Sequence, residues 1–124
     1  MFEDIFSKID DPERLVRLST GDCAGLRSQY PALPADYFAF LQEVGWGDLG
    51  NLVIYDAPME PVEVYTSARS QMLSGIILFG DDTQGFCYGF DLNDGARVVE
   101  LNPEGEVDRT IEPKFPGFLE FFLA

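Results

Sequence analysis

Residues 79–95 read FGDDTQGFCYGFDLNDG. Within them Phe86, Tyr88 and Phe90 alternate with Cys87, Gly89 and Asp91. That two-residue period is the signature of a strand with a ring-bearing face. GDDTQG before it and NDGA after it are turn sequences: Asp and Asn side chains bond nearby backbone N–H groups, and Gly supplies positive φ. A strand held between two such turns predicts an antiparallel meander. The same stretch carries Asp81, Asp82, Asp91 and Asp94, so it also raises the question of a metal or catalytic site.

Outward from this stretch, GIILFG (75–80) and NLVIYDA (51–57) read as strands upstream, and ARVVELN (96–102) and EVDRTIEP (106–113) downstream. The last would place Val107, Arg109 and Ile111 on one face. NPEG (102–105) sets Pro103 and Gly105 at favoured type I turn positions. PVEVYTSARSQM (61–72) begins like a strand and ends like a helix able to cover a sheet edge.

LPADYFAFLQEVG (33–45) is the clearest helix. Pro34 opens it, and Asp36 suits the positive end of the helix dipole. Tyr37, Phe38, Leu41 and Val44 form its apolar stripe, Phe40 flanks that stripe, and Gly45 stops the helix with positive φ. FEDIFSKI (2–9) and DPERLVRLST (11–20) read as two more helices, the second with Asp11 as N-cap, Pro12 at the first position, and Leu15 and Leu18 on one face. DCAGLRSQY (22–30) reads as a weak helical turn capped by Asp22. FPGFLEFFLA (115–124) reads as a closing helix that docks Phe118, Leu119 and Phe122. The expected architecture is one α+β domain over 1–124, a mainly antiparallel sheet with helices packed against it.

A chain of 124 residues with 46% apolar residues, eleven Phe, five Tyr and one Trp can build a ring-based core without disulfides. Cys23 and Cys87 match no metal spacing and read as thiols of a reducing compartment. MFEDIFSKIDD lacks the basic and apolar regions of a secretion signal, and no apolar run is long enough for a membrane helix. A cytoplasmic location is expected.

The chain carries 22 acids against 8 bases, no histidine, and a net charge of −14. Residues 28–96 hold ten acids and one base, Arg69, so nine of the fourteen surplus charges fall there. Such a field repels nucleic acid and anionic lipid and attracts a basic partner. It also serves solubility in an organism with an acidic proteome.

Chemistry finds little support. DLNDGARVVELN (91–102) places Gly95 at the fifth position and Asn102 at the twelfth, where a calcium loop needs Gly at the sixth and Glu at the twelfth. Asp81 and Asp82 are adjacent, so in a strand they would face opposite sides. Without histidine the commonest general base and metal ligand are missing. Cys87 has no activator and should be inert. GWGDLGN (45–51) lacks the spacing and lysine of a phosphate loop. No enzyme, metal or cofactor is expected.

Three segments together resemble the SUKH superfamily, the Smi/Knr family that includes a yeast cell-wall synthesis regulator. LPADYFAFLQEVGWG (33–47) is similar to the family's Leu-Pro, aromatic, Phe-Leu, Gly pattern. ILFGDDTQGFCYGFDL (77–92) is similar to its strand, acidic turn, Gly and aromatic strand. PKFPGFLEFFLA (113–124) is similar to its closing Phe-rich helix. They span Leu33 to the C-terminus. The resemblance implies helices on a mainly antiparallel sheet, no shared catalytic centre, and a role as a bacterial immunity protein that neutralises a toxin, often a nuclease.

An acidic inhibitor can fill a nuclease's phosphate groove and associate quickly through steering. Affinity would still need aromatic anchors. Trp46, Tyr55 and Tyr65 are the candidate anchors. Asp48, Asp56, Glu60, Glu63, Asp81 and Asp82 are the candidate charged contacts. The plainer readings are a core-closing ring for Trp46, sheet packing with exposed hydroxyls for Tyr55 and Tyr65, and a solvated face for the acids. The expected partner is thus a protein, a basic toxin such as a nuclease, with no direct nucleic-acid or membrane contact. The alternative is a regulatory or scaffold module whose partner need not be basic. A small-molecule pocket or an enzyme would instead require a deep apolar cavity with convergent polar groups.

Overall fold

The computed structural model describes residues 2–112 and 114–123, and the side chains of residues 109–112 lie outside that description. The proposed common face of Val107, Arg109 and Ile111 therefore falls partly outside the described residues. The fold is the expected α+β domain. Its strands are β1 (Gly47–Asp48), β2 (Val53–Met59), β3 (Ile76–Asp81), β4 (Cys87–Asp91), β5 (Arg97–Leu101) and β6 (Val107–Glu112). They form one antiparallel sheet in sequence order. The helices are α1 (Glu3–Phe6), α2 (Thr20–Gln29), α3 (Ala35–Glu43), α4 (Ser67–Gln71) and α5 (Phe115–Phe122).

The turns follow the aspartate chemistry. Asp81 Oδ1 accepts from the Thr83 N–H at 2.8 Å, and Asp82 Oδ1 accepts from Gln84 at 2.8 Å and Phe86 at 3.1 Å. Asp91 Oδ1 accepts from the Asn93 N–H at 3.0 Å, and Asp94 pairs with Arg97 at 3.5 Å. At NPEG the Gly105 N–H closes the turn on the Asn102 carbonyl at 2.8 Å.

α3 places Tyr37, Phe38, Phe40 and Leu41 in the core, with Val44 buried just beyond its end. Gly45 follows at φ +112, and a Cβ there would stand 2.6 Å from the Val16 carbonyl oxygen. Both the conformation and the space demand glycine. Pro34 is the N-cap rather than the first helical residue, its ψ of 143 still extended. α5 buries Phe115, Phe118 and Leu119, with Phe122 packed at the margin. Phe115 is the hub: its ring meets Tyr37, Phe40, Phe79 and Phe90 at centroid distances of 5.6, 5.5, 5.2 and 5.8 Å.

Three local readings are corrected. The helix expected over 11–20 is a single 3-10 turn, Pro12–Arg14, and Asp11 makes no side-chain cap. Pairing elsewhere wins: Val16 and Trp46 exchange backbone bonds at 3.0 and 2.9 Å, and the Leu18 N–H reaches the Leu41 carbonyl. The weak turn expected at 22–30 is a full helix, α2, and its cap is Ser19, whose hydroxyl accepts from the Asp22 N–H. Two glycines, Gly21 and Gly25, lower the propensity of this helix in isolation. The strand-like start of 61–72 is a 3-10 turn, Pro61–Glu63, closed by a reciprocal capping box between Glu60 and Glu63. Thr66 then caps α4.

This crossover covers a sheet face instead of an edge. Ile54, Ile77, Phe79, Tyr88, Phe90 and Val98 point into the main core beneath α3 and α5. On the opposite face Leu78, Cys87, Val99 and Leu101 form a second, smaller core with Leu73, and Tyr55, Met59 and Tyr65 pack around it. Burial on both faces explains why β3 is apolar almost throughout.

Candidate functional site

The second face is only partly covered. Between β2, the crossover and the turns at 82–86 and 102–105 lies a groove of about 630 Å³. β2 supplies Tyr55 and Met59. The crossover supplies Glu63, Val64 and Tyr65, the β3–β4 hairpin supplies Asp81, Thr83, Gly85 and Cys87, and Pro103 closes one end. Gly105 lets that last turn lie against the crossover, because a Cβ there would stand 2.7 Å from Arg69 Cγ and 2.9 Å from Tyr65 Cδ1.

The polar groups in the groove are held firmly. The Tyr55 hydroxyl donates to Asp81 Oδ2 at 2.7 Å and lies 4.0 Å from Cys87 Sγ. Burial first, and then the hydrogen bond to Asp81, hold the Tyr55 hydroxyl far above the usual phenol range. Burial also leads the upward shift at Tyr65. By geometry the Tyr65 hydroxyl has no hydrogen-bond partner among the described residues; the Cys87 thiol lies close enough to act on its titration, and a thiol is a weak partner. Burial likewise pushes the Cys87 thiol up; the Tyr65 and Tyr55 hydroxyls pull it partly back and the charges of Asp81 and Asp82 add to the rise, so it stays protonated at neutral pH. The expectation of exposed tyrosine hydroxyls is thus corrected: one is bonded to a carboxylate and the other is buried.

Of the nine sequence-selected residues, Tyr55, Glu63, Tyr65 and Asp81 meet in this groove. Trp46 and Asp56 line another, of about 500 Å³, against Asp22, Gly25 and Gln29 of α2. Tyr55 and Asp56 are neighbours in a strand and so face opposite sides of the sheet. Trp46 is half-buried against the main core, which agrees with its plainer reading as a closing ring. Asp48, Glu60 and Asp82 line neither groove, and each has local work. Asp48 Oδ1 accepts from the Gly50 N–H at 2.8 Å, Glu60 belongs to the capping box, and Asp82 braces its turn.

Some of these acids lie close enough to tyrosines to raise their hydroxyls. Among the described residues β1 pairs with β2 at Val53 and Ile54 alone. Tyr30, at the end of α2, has its hydroxyl pushed up by burial and then by the charges of Glu60 and Glu63. Asp56 adds to the burial-led upward shift at the Tyr37 hydroxyl. Asp22 and Asp56 line the groove against α2, Glu63 and Asp81 line the groove beside the crossover, and Glu60 and Glu63 both raise the Tyr30 hydroxyl. Among the described residues none of the five forms an ion pair. Arg69, the one base of residues 28–96, places Nη1 3.5 Å from Met72 Sδ and pairs with no carboxylate among the described residues.

Sequence reasoning missed the apolar half of this surface. Val62, Val64 and Met72 of the crossover are exposed, Met72 by 72%. PVEVY reads as the strand-like start of its segment, with no side assigned to its two valines. Only the 3-10 turn swings them outward.

Among the described residues no group of three or more His, Cys, Asp or Glu is placed to hold a metal ion, and no helix is long and apolar enough to cross a membrane. No protein-family model, curated protein or solved structure matches the chain.

Proposed function

We propose that this domain is a non-catalytic binding module, a cytoplasmic immunity protein that neutralises a basic toxin such as a nuclease by docking through the acids around β2 and the crossover. One observation carries this reading. Glu63 and Asp81, which pair with no base among the described residues, line one groove with the exposed Val64, and the exposed Val62 and Met72 belong to the same crossover. Charge gives such a surface steering and register, while the apolar side chains give it desolvated contact area. The resemblance to the SUKH superfamily supports the same role.

The test is co-purification with, and protection of cells from, a toxin encoded beside this chain. The affinity is then measured at low and high ionic strength. Binding that weakens steeply with salt supports the acidic docking mode. Binding indifferent to salt supports a regulatory or scaffold role resting on the apolar crossover. Failure to protect against every neighbouring toxin removes the immunity reading.

A further inference from the structure

We infer that the groove between β2, the crossover and the β3–β4 hairpin is a receptor for a single arginine side chain of the partner. The inference rests on the protein-binding reading above and specifies what is recognised at its centre.

The lining selects charge first. Asp81 and Glu63 line the space, Glu63 with Oε2 already accepting from the Glu60 N–H at 2.9 Å, and neither pairs with a base among the described residues. Each Asp81 oxygen already accepts one bond, from the Tyr55 hydroxyl at 2.7 Å and the Thr83 N–H at 2.8 Å. A carboxylate offers about four acceptor positions, so about two remain for a ligand. An anion would be repelled, and a neutral ligand would leave the charge unanswered. The Tyr65 hydroxyl, buried and with only the weak Cys87 thiol beside it among the described residues, supplies a further oxygen that an N–H donor can satisfy.

The walls then select the kind of cation. Two tyrosine rings, the Met59 thioether and Pro103 give apolar surface to the stem and ring faces to the head. A guanidinium is planar, weakly hydrated and forked, so it can lie on a ring while it donates to a carboxylate. An ammonium is a compact and strongly hydrated charge that such a half-apolar groove desolvates at greater cost. A space of about 630 Å³ lies within the common range for ligand pockets, about 300–1,000 Å³, and accommodates a long side chain.

The test uses the whole chain and capped arginine amide, with capped lysine amide and capped citrulline amide as comparisons, followed by backbone amide NMR shifts. Saturable shifts confined to residues around Tyr55, Tyr65, Asp81 and Cys87 are expected with arginine. Lysine should bind more weakly and citrulline should give no response. Asp81→Asn should weaken arginine binding about tenfold or more. Val64→Arg, at an exposed position that leaves the fold intact, should abolish the response by filling the groove with its own guanidinium. Shifts spread over all acidic surfaces, an equal response to citrulline, or a folded Val64→Arg variant that binds arginine normally would each overturn the assignment. Toxin binding that survives both substitutions would overturn the groove and spare the immunity reading. Intact arginine binding with no toxin partner would sink the immunity reading alone.

Discussion

The Tyr55 hydroxyl on β2 donates to Asp81 Oδ2 on β3 at 2.7 Å, across a stretch where the two strands slip register between Ile54 and Met59. The bond replaces ladder order that the bulge gives up. Hydrogen bonds to a charged group contribute about 1.5–3 kcal/mol, and the half-buried setting favours the lower end. Tyr55→Phe is therefore expected to lower unfolding stability by about 1.5 kcal/mol. A denaturant titration measures it, and an unchanged midpoint at unchanged slope would remove the bond from the account.

Tyr37 poses the opposite case. Its ring sits against Phe38, Phe79, Phe90 and Phe115, and its hydroxyl is buried with no partner among the described residues. A buried hydroxyl without a bond costs about 1–3 kcal/mol relative to its hydrated state. Tyr37→Phe keeps every ring contact and should raise stability by about 1 kcal/mol. A loss of stability on thermal unfolding would mean that a buried water bonds the hydroxyl.

The strand plan, the turn aspartates and the α3 and α5 stripes were legible because each rests on local chemistry: period, caps and turn residues. What was not legible depended on partners distant in sequence. Val16 abandons a helix for Trp46, and Leu18 for Leu41. Valines 62 and 64 look like strand residues until the Glu60–Glu63 capping box turns the chain. The site was half legible. Composition pointed to Tyr55, Glu63, Tyr65 and Asp81, but only the fold separates Tyr55 from Asp56 across the sheet and joins Glu63 to Asp81. Cys87 was dismissed as a reactive group, and its raised thiol agrees, yet it lines the groove.

The tyrosines make stability fall in base. Tyr30, Tyr37, Tyr55 and Tyr65 all have folded-state values raised above 10.0, in each case first by burial. A raised acid holds its proton longer folded than unfolded, so its contribution is fully present below the unfolded value and is lost as pH rises toward the folded one. Unfolding stability should drop progressively above about pH 10, with the tyrosinate absorbance of Tyr37, Tyr55 and Tyr65 appearing together with unfolding rather than before it. Tyrosine ionisation well before loss of the far-UV signal would contradict the buried hydroxyls.

The ring at Phe115 concentrates much of the core's cohesion. It is fully buried and touches four aromatic neighbours on α3, β3 and β4. Truncation of such a ring costs about 3–5 kcal/mol, a large share of the roughly 5–15 kcal/mol that holds a typical domain together. Phe115→Ala should shift the denaturant midpoint by that amount, whereas Phe115→Leu, which refills most of the space, should lose less. A small loss for the alanine variant would show that α5 contributes little to the fold.

Exposed apolar side chains separate binding from stability. Val62 is 57% exposed and Met72 is 72% exposed, so neither contributes a large buried area to the folded chain. Surface substitutions of this kind stay within about 0.5 kcal/mol of neutral. Val62→Ser and Met72→Ser should therefore leave the thermal midpoint almost unchanged. At a docking surface the same two changes remove the apolar anchors and should weaken partner affinity about tenfold or more, chiefly through faster dissociation. Phe121, 50% exposed on α5 away from the groove lining, is the control, and Phe121→Ser should leave affinity unaltered. Surface plasmon resonance against the cognate toxin resolves the two rates. If the crossover variants dissociate no faster than the parent chain, the crossover is not where the partner sits.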